Sequence, residues 1–100
     1  MAQLSTEDTD VRLTAWAHGP VQGVGFRYTT KDLARGFDVC GWVKNLPEGT
    51  VELQVMGEED EVEGFIKEIA EESNVAHHIK SLTAENIPLL EGVRGFSIVS

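Results

Sequence analysis

A strand-like segment passes into a helix-like segment through Gly19-Pro20-Val21-Gln22-Gly23-Val24-Gly25-Phe26-Arg27. Glycine lets the backbone turn sharply and lets its N–H groups converge with no side chain in the way. A loop that enters a helix N-terminus in this manner gathers backbone donors at the positive end of the helix dipole. Arg27 would add a charged planar group that matches phosphate or carboxylate oxygens. The run therefore predicts an anion-binding loop, although the same glycines would also suit a plain tight turn.

The common nucleotide motifs do not describe this loop. No Gly-Lys-Ser or Gly-Lys-Thr follows it, so it is not a Walker A loop, and its glycine spacing differs from the dinucleotide-binding fingerprint. A nucleotide site is therefore disfavoured.

The segments on either side of the loop have different periodicities. From Val11 to Ala17, apolar residues alternate with polar or aromatic ones, which predicts a strand with one apolar face. From about Phe26 to Arg35, apolar residues recur at helical spacing, and Gly36 stands where helices often end. The loop thus connects a first strand to a first helix.

The remainder of the chain continues the alternation of strands and helices. The predicted elements are a strand over Val39–Asn45, a turn over Leu46–Gly49, a strand over Thr50–Met56, a helix over Glu58–Ser73, a strand over Val75–Glu85 and a short terminal strand over Gly95–Val99. This order predicts a ferredoxin-like α+β fold, βαββαβ, in which an antiparallel sheet carries two helices on one face.

Length and charge limit the kinds of function that are open to the chain. Residues 1–10 are predicted to form a disordered polar tail, without the features of a secretory signal, and residues 11–100 one domain. The 17 acidic residues against 8 basic ones give a net charge of −9, which disfavours nucleic acid and anionic membranes as partners. No apolar run approaches the roughly 18 residues that a membrane helix needs.

The residues that most often bind metals or act as nucleophiles form no recognisable set. Cys40 is the single cysteine, so the chain can form no intramolecular disulfide, which fits a reducing cytoplasm. His77 and His78 are neighbours in a predicted strand, where their side chains would point to opposite faces. These residues therefore predict no metal site.

Two separated motifs resemble the signatures of the acylphosphatase family. Gly19-x-Val21-Gln22-Gly23-Val24-x-Phe26-Arg27 is similar to the first, and Gly41-Trp42-Val43-Lys44-Asn45-x-x-x-Gly49-x-Val51 is similar to the second. The ending Gly95-Phe96-Ser97-Ile98 is also similar, and the order of elements agrees over about residues 11–99. Position 20 is commonly basic in the family, whereas this chain has Pro20.

The resemblance implies hydrolysis of acyl phosphates, small molecules that join a carboxylic and a phosphoric acid, without a metal ion or a cofactor. We expect the protein to be cytoplasmic and monomeric, although the sequence leaves the oligomeric state open. It implies that Arg27 binds the phosphate and that Asn45 holds the attacking water. The backbone of the loop would share in phosphate binding, through Pro20, Val21, Gln22, Gly23, Val24, Gly25 and Phe26.

Two other functions stay open on the sequence. A domain with the same loop could bind anions without turnover, as a non-catalytic acylphosphatase-like module. An RNA-binding ferredoxin-like module would need a basic surface and exposed aromatic residues on the sheet, and the charge of −9 and the aromatic content of 7% disfavour it.

Overall fold

The computed structural model describes residues 10–99. Its regular elements are β1 (Asp10–His18), α1 (Phe26–Ala34), β2 (Val39–Asn45), β3 (Val51–Glu58), α2 (Glu59–Lys67), β4 (Ser81–Ile87) and β5 (Phe96–Val99). A π-helical segment, Glu68–Glu72, and a 3-10 turn, Ala76–His78, lie between α2 and β4. The predicted tail over residues 1–10 lies outside the described residues, except for Asp10, with which β1 begins.

The strands form one sheet in the order β4-β1-β3-β2-β5. β1 is antiparallel to β3 and β4, and β2 and β3 form an antiparallel hairpin. β5 runs parallel to β2, so the short extra strand makes the sheet mixed rather than wholly antiparallel. α1 packs against β2 and β5, and α2 packs against β1 and β3. The ferredoxin-like α+β fold predicted from the sequence is confirmed.

The core lies between the two helices and one face of the sheet. Ala15, Val43 and Leu53 are register neighbours across three strands, and each is at most 1% exposed. Phe65 of α2 lies edge-on to Phe96 of β5, with ring centroids 5.4 Å apart. Burial of side chains of this size stabilises the fold by roughly 1.5–3 kcal/mol each. The alternating pattern of β1 and β3 therefore orients the sheet by placing its apolar side under the helices.

The predicted fourth strand is wrong over its first residues, because the chain is helical there. Val75 is 2% exposed, and the Ser73 hydroxyl accepts its N–H while donating to the Ile69 carbonyl. This arrangement turns the chain, so that β4 begins only at Ser81. The rings of His77 and His78 consequently pack against each other with centroids 4.0 Å apart, and they do not point to opposite faces.

The predicted second helix is confirmed in place, but its last part is wound differently. Residues 59–67 are α-helical, whereas residues 68–72 form π-helical hydrogen bonds. Neither of these segments, nor any other helix within residues 10–99, has the length and apolar character required to cross a bilayer.

Candidate active site

The loop from Gly19 to Gly25 leads from the end of β1 into α1 and is anchored by two apolar side chains. Val21 is fully buried and Phe26, the first residue of α1, is 2% exposed. The residues between them lie at the surface, since Gln22 and Val24 are half-buried and Gly23 is exposed. The sequence therefore holds the two ends of this segment in the core and presents its backbone to solvent.

Glycine is required at two points in the second half of the loop for its backbone conformation. Gly23 has φ 81° and Gly25 has φ 83°, in the left-handed region that other residues enter at a cost of roughly 1–2 kcal/mol. A Cβ at either position would meet no atom within 4 Å, so crowding does not explain these glycines. The conformation makes the chain turn twice before it becomes helical.

These turns leave a series of backbone N–H groups without carbonyl partners. Within residues 10–99, the N–H of Val21 donates to the Gly19 carbonyl and that of Thr29 to the Gly25 carbonyl. The N–H groups from Gln22 to Tyr28 donate to no backbone carbonyl of the described residues. The last of them are the free donors at the N-terminus of α1, where the helix dipole favours an anion.

Arg27 stands in the first turn of α1, beside these donors. It is half-buried, and within the described residues its guanidinium makes no hydrogen bond and no ion pair. An arginine side chain stays charged at all ordinary pH values and presents several donors in one plane. Arg27 is therefore carried by the same first helical turn as the last of these N–H groups.

Gln22 connects the loop to the hairpin that carries Asn45. The Gln22 amide nitrogen donates to the Leu46 carbonyl at 2.7 Å and to the Thr50 carbonyl at 2.8 Å. Asn45 is the last residue of β2 and pairs in register with Val51, so the two carbonyls belong to the turn that begins next to it. The structure therefore brings the end of β2, where Asn45 lies, to the loop that precedes α1.

A second contact supports the beginning of the loop, where Gly19 has φ 123°. A Cβ on Gly19 would lie 2.7 Å from the His78 carbonyl oxygen and 3.0 Å from the Lys80 nitrogen. The Lys80 N–H also donates to the His18 carbonyl at 2.8 Å. The links made by Gln22 and Lys80 could not be predicted from the sequence, because they join segments far apart in the chain.

Among the residues that the structure describes, the other potentially reactive groups do not assemble into a site. Cys40 lies in β2, and burial, followed by the charge of Asp38, raises the pKa of its thiol, so it stays protonated near neutral pH. No three His, Cys, Asp or Glu side chains come together as possible metal ligands anywhere in the described range, 10–99. His18 contacts the Thr83 hydroxyl at 3.3 Å on the neighbouring strand.

The chain is similar in sequence to known proteins of one family. The family model described as Acylphosphatase matches residues 13–98. The Acylphosphatase of Pediococcus pentosaceus is 45% identical over 76 residues, which are 76% of this chain and 84% of that protein.

Two solved structures share the fold. The acylphosphatase from Bacillus subtilis superposes with a TM-score of 0.79 at 31% identity, covering 90% of this chain and 99% of that one. HypF of T. kodakarensis gives a TM-score of 0.75 at 28% identity, covering 91% of this chain but 12% of HypF. The family model and the relative from Pediococcus pentosaceus show that the chain belongs to the acylphosphatase family.

Proposed function

We propose that this protein hydrolyses acyl phosphates to a carboxylate and inorganic phosphate, without a metal ion or a cofactor. Residues 11–100 form the catalytic domain, which acts as a monomer on a small-molecule substrate. The protein works in the cytoplasm, a reducing compartment that fits a chain with a single cysteine.

The loop and Arg27 bind the phosphate group of the substrate. The N–H groups between Gln22 and Tyr28 supply fixed donors, and the adjacent Arg27 supplies a full positive charge. Phosphoryl transfer depends mainly on positioning and on stabilisation of the charge on the phosphoryl oxygens. Donors that are already oriented before the substrate arrives meet this need with little reorganisation.

Asn45 orients the water that attacks phosphorus. A carboxamide both donates and accepts hydrogen bonds, so it can hold a water molecule without acting as a base. The water oxygen forms a bond to phosphorus while the bond between phosphorus and the acyl oxygen breaks. The leaving group departs as a carboxylate, which is stable without protonation, and a phosphate oxygen takes the proton from the water.

One observation carries this proposal: the two hydrogen bonds of Gln22 that join the loop to the turn following Asn45. These bonds hold the loop, which would bind the phosphate, in a fixed position relative to Asn45, which would hold the water. Distances within an active site matter because a displacement of about 1 Å can cost a hundredfold in rate.

The alternative is a module that binds anions without turnover. It is favoured by the structural likeness to HypF, a protein of which this chain corresponds to 12%. Such a module would retain phosphate binding through Arg27 and the loop, and would not need Asn45.

Hydrolysis of benzoyl phosphate in excess chelator tests the proposal. We expect turnover that chelation does not reduce, since Arg27 and backbone N–H groups meet the charge of the phosphate. Binding of inorganic phosphate with no hydrolysis would favour the non-catalytic module. Activity that disappears with chelator and returns with Mg²⁺ or Zn²⁺ would overturn the metal-free mechanism.

A further inference from the structure

We propose that Lys80 is a positioning residue that attracts the anionic substrate to the loop and holds its phosphate there. The inference rests on the proposed function, because it concerns the same phosphate site. In this proposal Lys80 affects the binding of the substrate and has no effect on the chemical step.

The contacts of Lys80 place it against the first residue of the loop. Its N–H donates to the His18 carbonyl at 2.8 Å, directly before Gly19. A Cβ on Gly19 would lie 3.1 Å from the Lys80 Cγ, so the stem of the lysine starts close to the backbone of Gly19. The N–H of Val21 donates back to the Gly19 carbonyl at 2.8 Å, which keeps the next residues of the loop close to this point.

The charge of Lys80 is available to a ligand. The side chain is exposed, and within residues 10–99 its ammonium group takes part in no ion pair. A lysine carries its charge at the end of a flexible four-carbon stem, so the ammonium group can follow an anion that enters the loop.

The net charge of the protein is the reason why a cation such as Lys80 matters for substrate binding. With a net charge of −9, the protein repels a substrate that is itself an anion. Within the loop, Pro20 carries no charge, and Arg27 is the only cationic side chain between Gly19 and Arg27. A second cation at the other end of the loop offsets the long-range repulsion where the phosphate enters.

The test compares Lys80→Gln with the wild-type protein and with Arg94→Gln. The glutamine variant keeps most of the stem and removes the charge at an exposed position. Arg94 is a matched control, because it is also exposed and lies with Asp10 and Glu58 at the opposite end of the sheet. Both variants change the net charge by the same amount.

Steady-state hydrolysis of benzoyl phosphate and its inhibition by inorganic phosphate are measured between low and high potassium chloride. We expect Lys80→Gln to raise KM and the phosphate inhibition constant about threefold to tenfold at low salt, as a single charge several ångströms from a phosphate allows in a watery medium. The difference from wild type should shrink as salt increases, because the ions screen the attraction. The value of kcat should stay unchanged, and Lys80→Arg should restore KM.

Three results would overturn the assignment to Lys80. One is a Lys80→Gln variant that behaves like Arg94→Gln, another is a loss in kcat at unchanged KM, and the third is an effect that does not depend on salt. If the wild-type protein shows no turnover, the proposed function fails, and calorimetric titration with inorganic phosphate then tests Lys80 by itself. Equal phosphate affinity in wild type and Lys80→Gln, or no measurable binding by either protein, would reject its role.

Discussion

The side chain of Gln22 is the best point at which to test whether the site depends on the link between the loop and the hairpin. We expect Gln22→Ala to impair catalysis more than it impairs folding. The substitution removes two hydrogen bonds, of 2.7 Å to the Leu46 carbonyl and 2.8 Å to the Thr50 carbonyl. Nothing else in the described structure ties this loop to the turn beside Asn45 by a side-chain hydrogen bond.

The cost in stability follows from what happens to the two acceptors. The Leu46 carbonyl also accepts the Gly49 N–H at 3.1 Å, and the Thr50 carbonyl accepts the Leu46 N–H at 2.9 Å. Neither oxygen therefore loses its last partner, and the penalty for an unpaired buried group does not apply. Two net hydrogen bonds then correspond to about 1–2 kcal/mol, or a fall in Tm of roughly 5–10 °C for a domain of this size.

Activity falls because the bound phosphate and the attacking water are no longer held at a fixed distance from each other. We expect kcat to fall about tenfold to a hundredfold, because the loop and Asn45 would no longer be held at one separation. The assay is benzoyl phosphate hydrolysis at a temperature at which circular dichroism shows the variant to be folded, together with urea unfolding for the free energy.

Gln54→Ala provides the matched control. Gln54 is likewise a half-buried glutamine with a side-chain hydrogen bond, to Arg12, but it lies on the sheet face away from the helices. It should lose stability without losing kcat. If Gln22→Ala loses the expected stability and keeps kcat within twofold of wild type, the link is structural only and the reasoning about registration is refuted.

Four further substitutions test individual parts of the site. Arg27→Lys should lower kcat/KM by on the order of a hundredfold, since lysine keeps the charge but loses the planar set of donors; near-native kinetics would mean that a point charge suffices there. Asn45→Ala should lower kcat by on the order of a hundredfold while the inhibition constant for phosphate changes little, because the loop stays intact; unchanged kcat would assign the water to another group. Gly19→Ala should destabilise the protein by about 2–4 kcal/mol in urea unfolding, since backbone strain adds to the clash with His78 and Lys80. Gly23→Ala, with open space around it, should cost about 1–2 kcal/mol. Equal losses of stability in the two variants would show that the contact at Gly19 is unimportant.

Local pattern was sufficient to predict most of the fold. The alternation in β1 and β3 and the turn at Gly49 depend on neighbouring residues, and they gave the right elements in the right order. The prediction failed between Val75 and Ser81, where a buried valine and the Ser73 hydroxyl determine the path of the chain. A valine at position 75 is equally compatible in sequence with the start of a strand and with the end of a turn.

The residues of the candidate site could likewise be predicted only in part from the sequence. Arg27 and the loop glycines could be selected from their spacing, because a loop before a helix is a local feature. The resemblance to a family, and not the spacing, selected Asn45. The amide of Gln22 could not be assigned an acceptor, since its partners are backbone carbonyls more than twenty residues away that carry no mark in the sequence.

The parallel pairing of β5 with β2 has a consequence for how the protein folds. Gly41 pairs with Phe96, so more than half of the chain separates the two partners. Contacts between such distant residues form late, because the entropy of closing a long loop must be overcome first. The strand that ends at Asn45 is therefore expected to remain an uncovered edge during synthesis until the last described strand has emerged. In refolding, catalytic activity should therefore recover together with the burial of Phe96 against Phe65, and not before it.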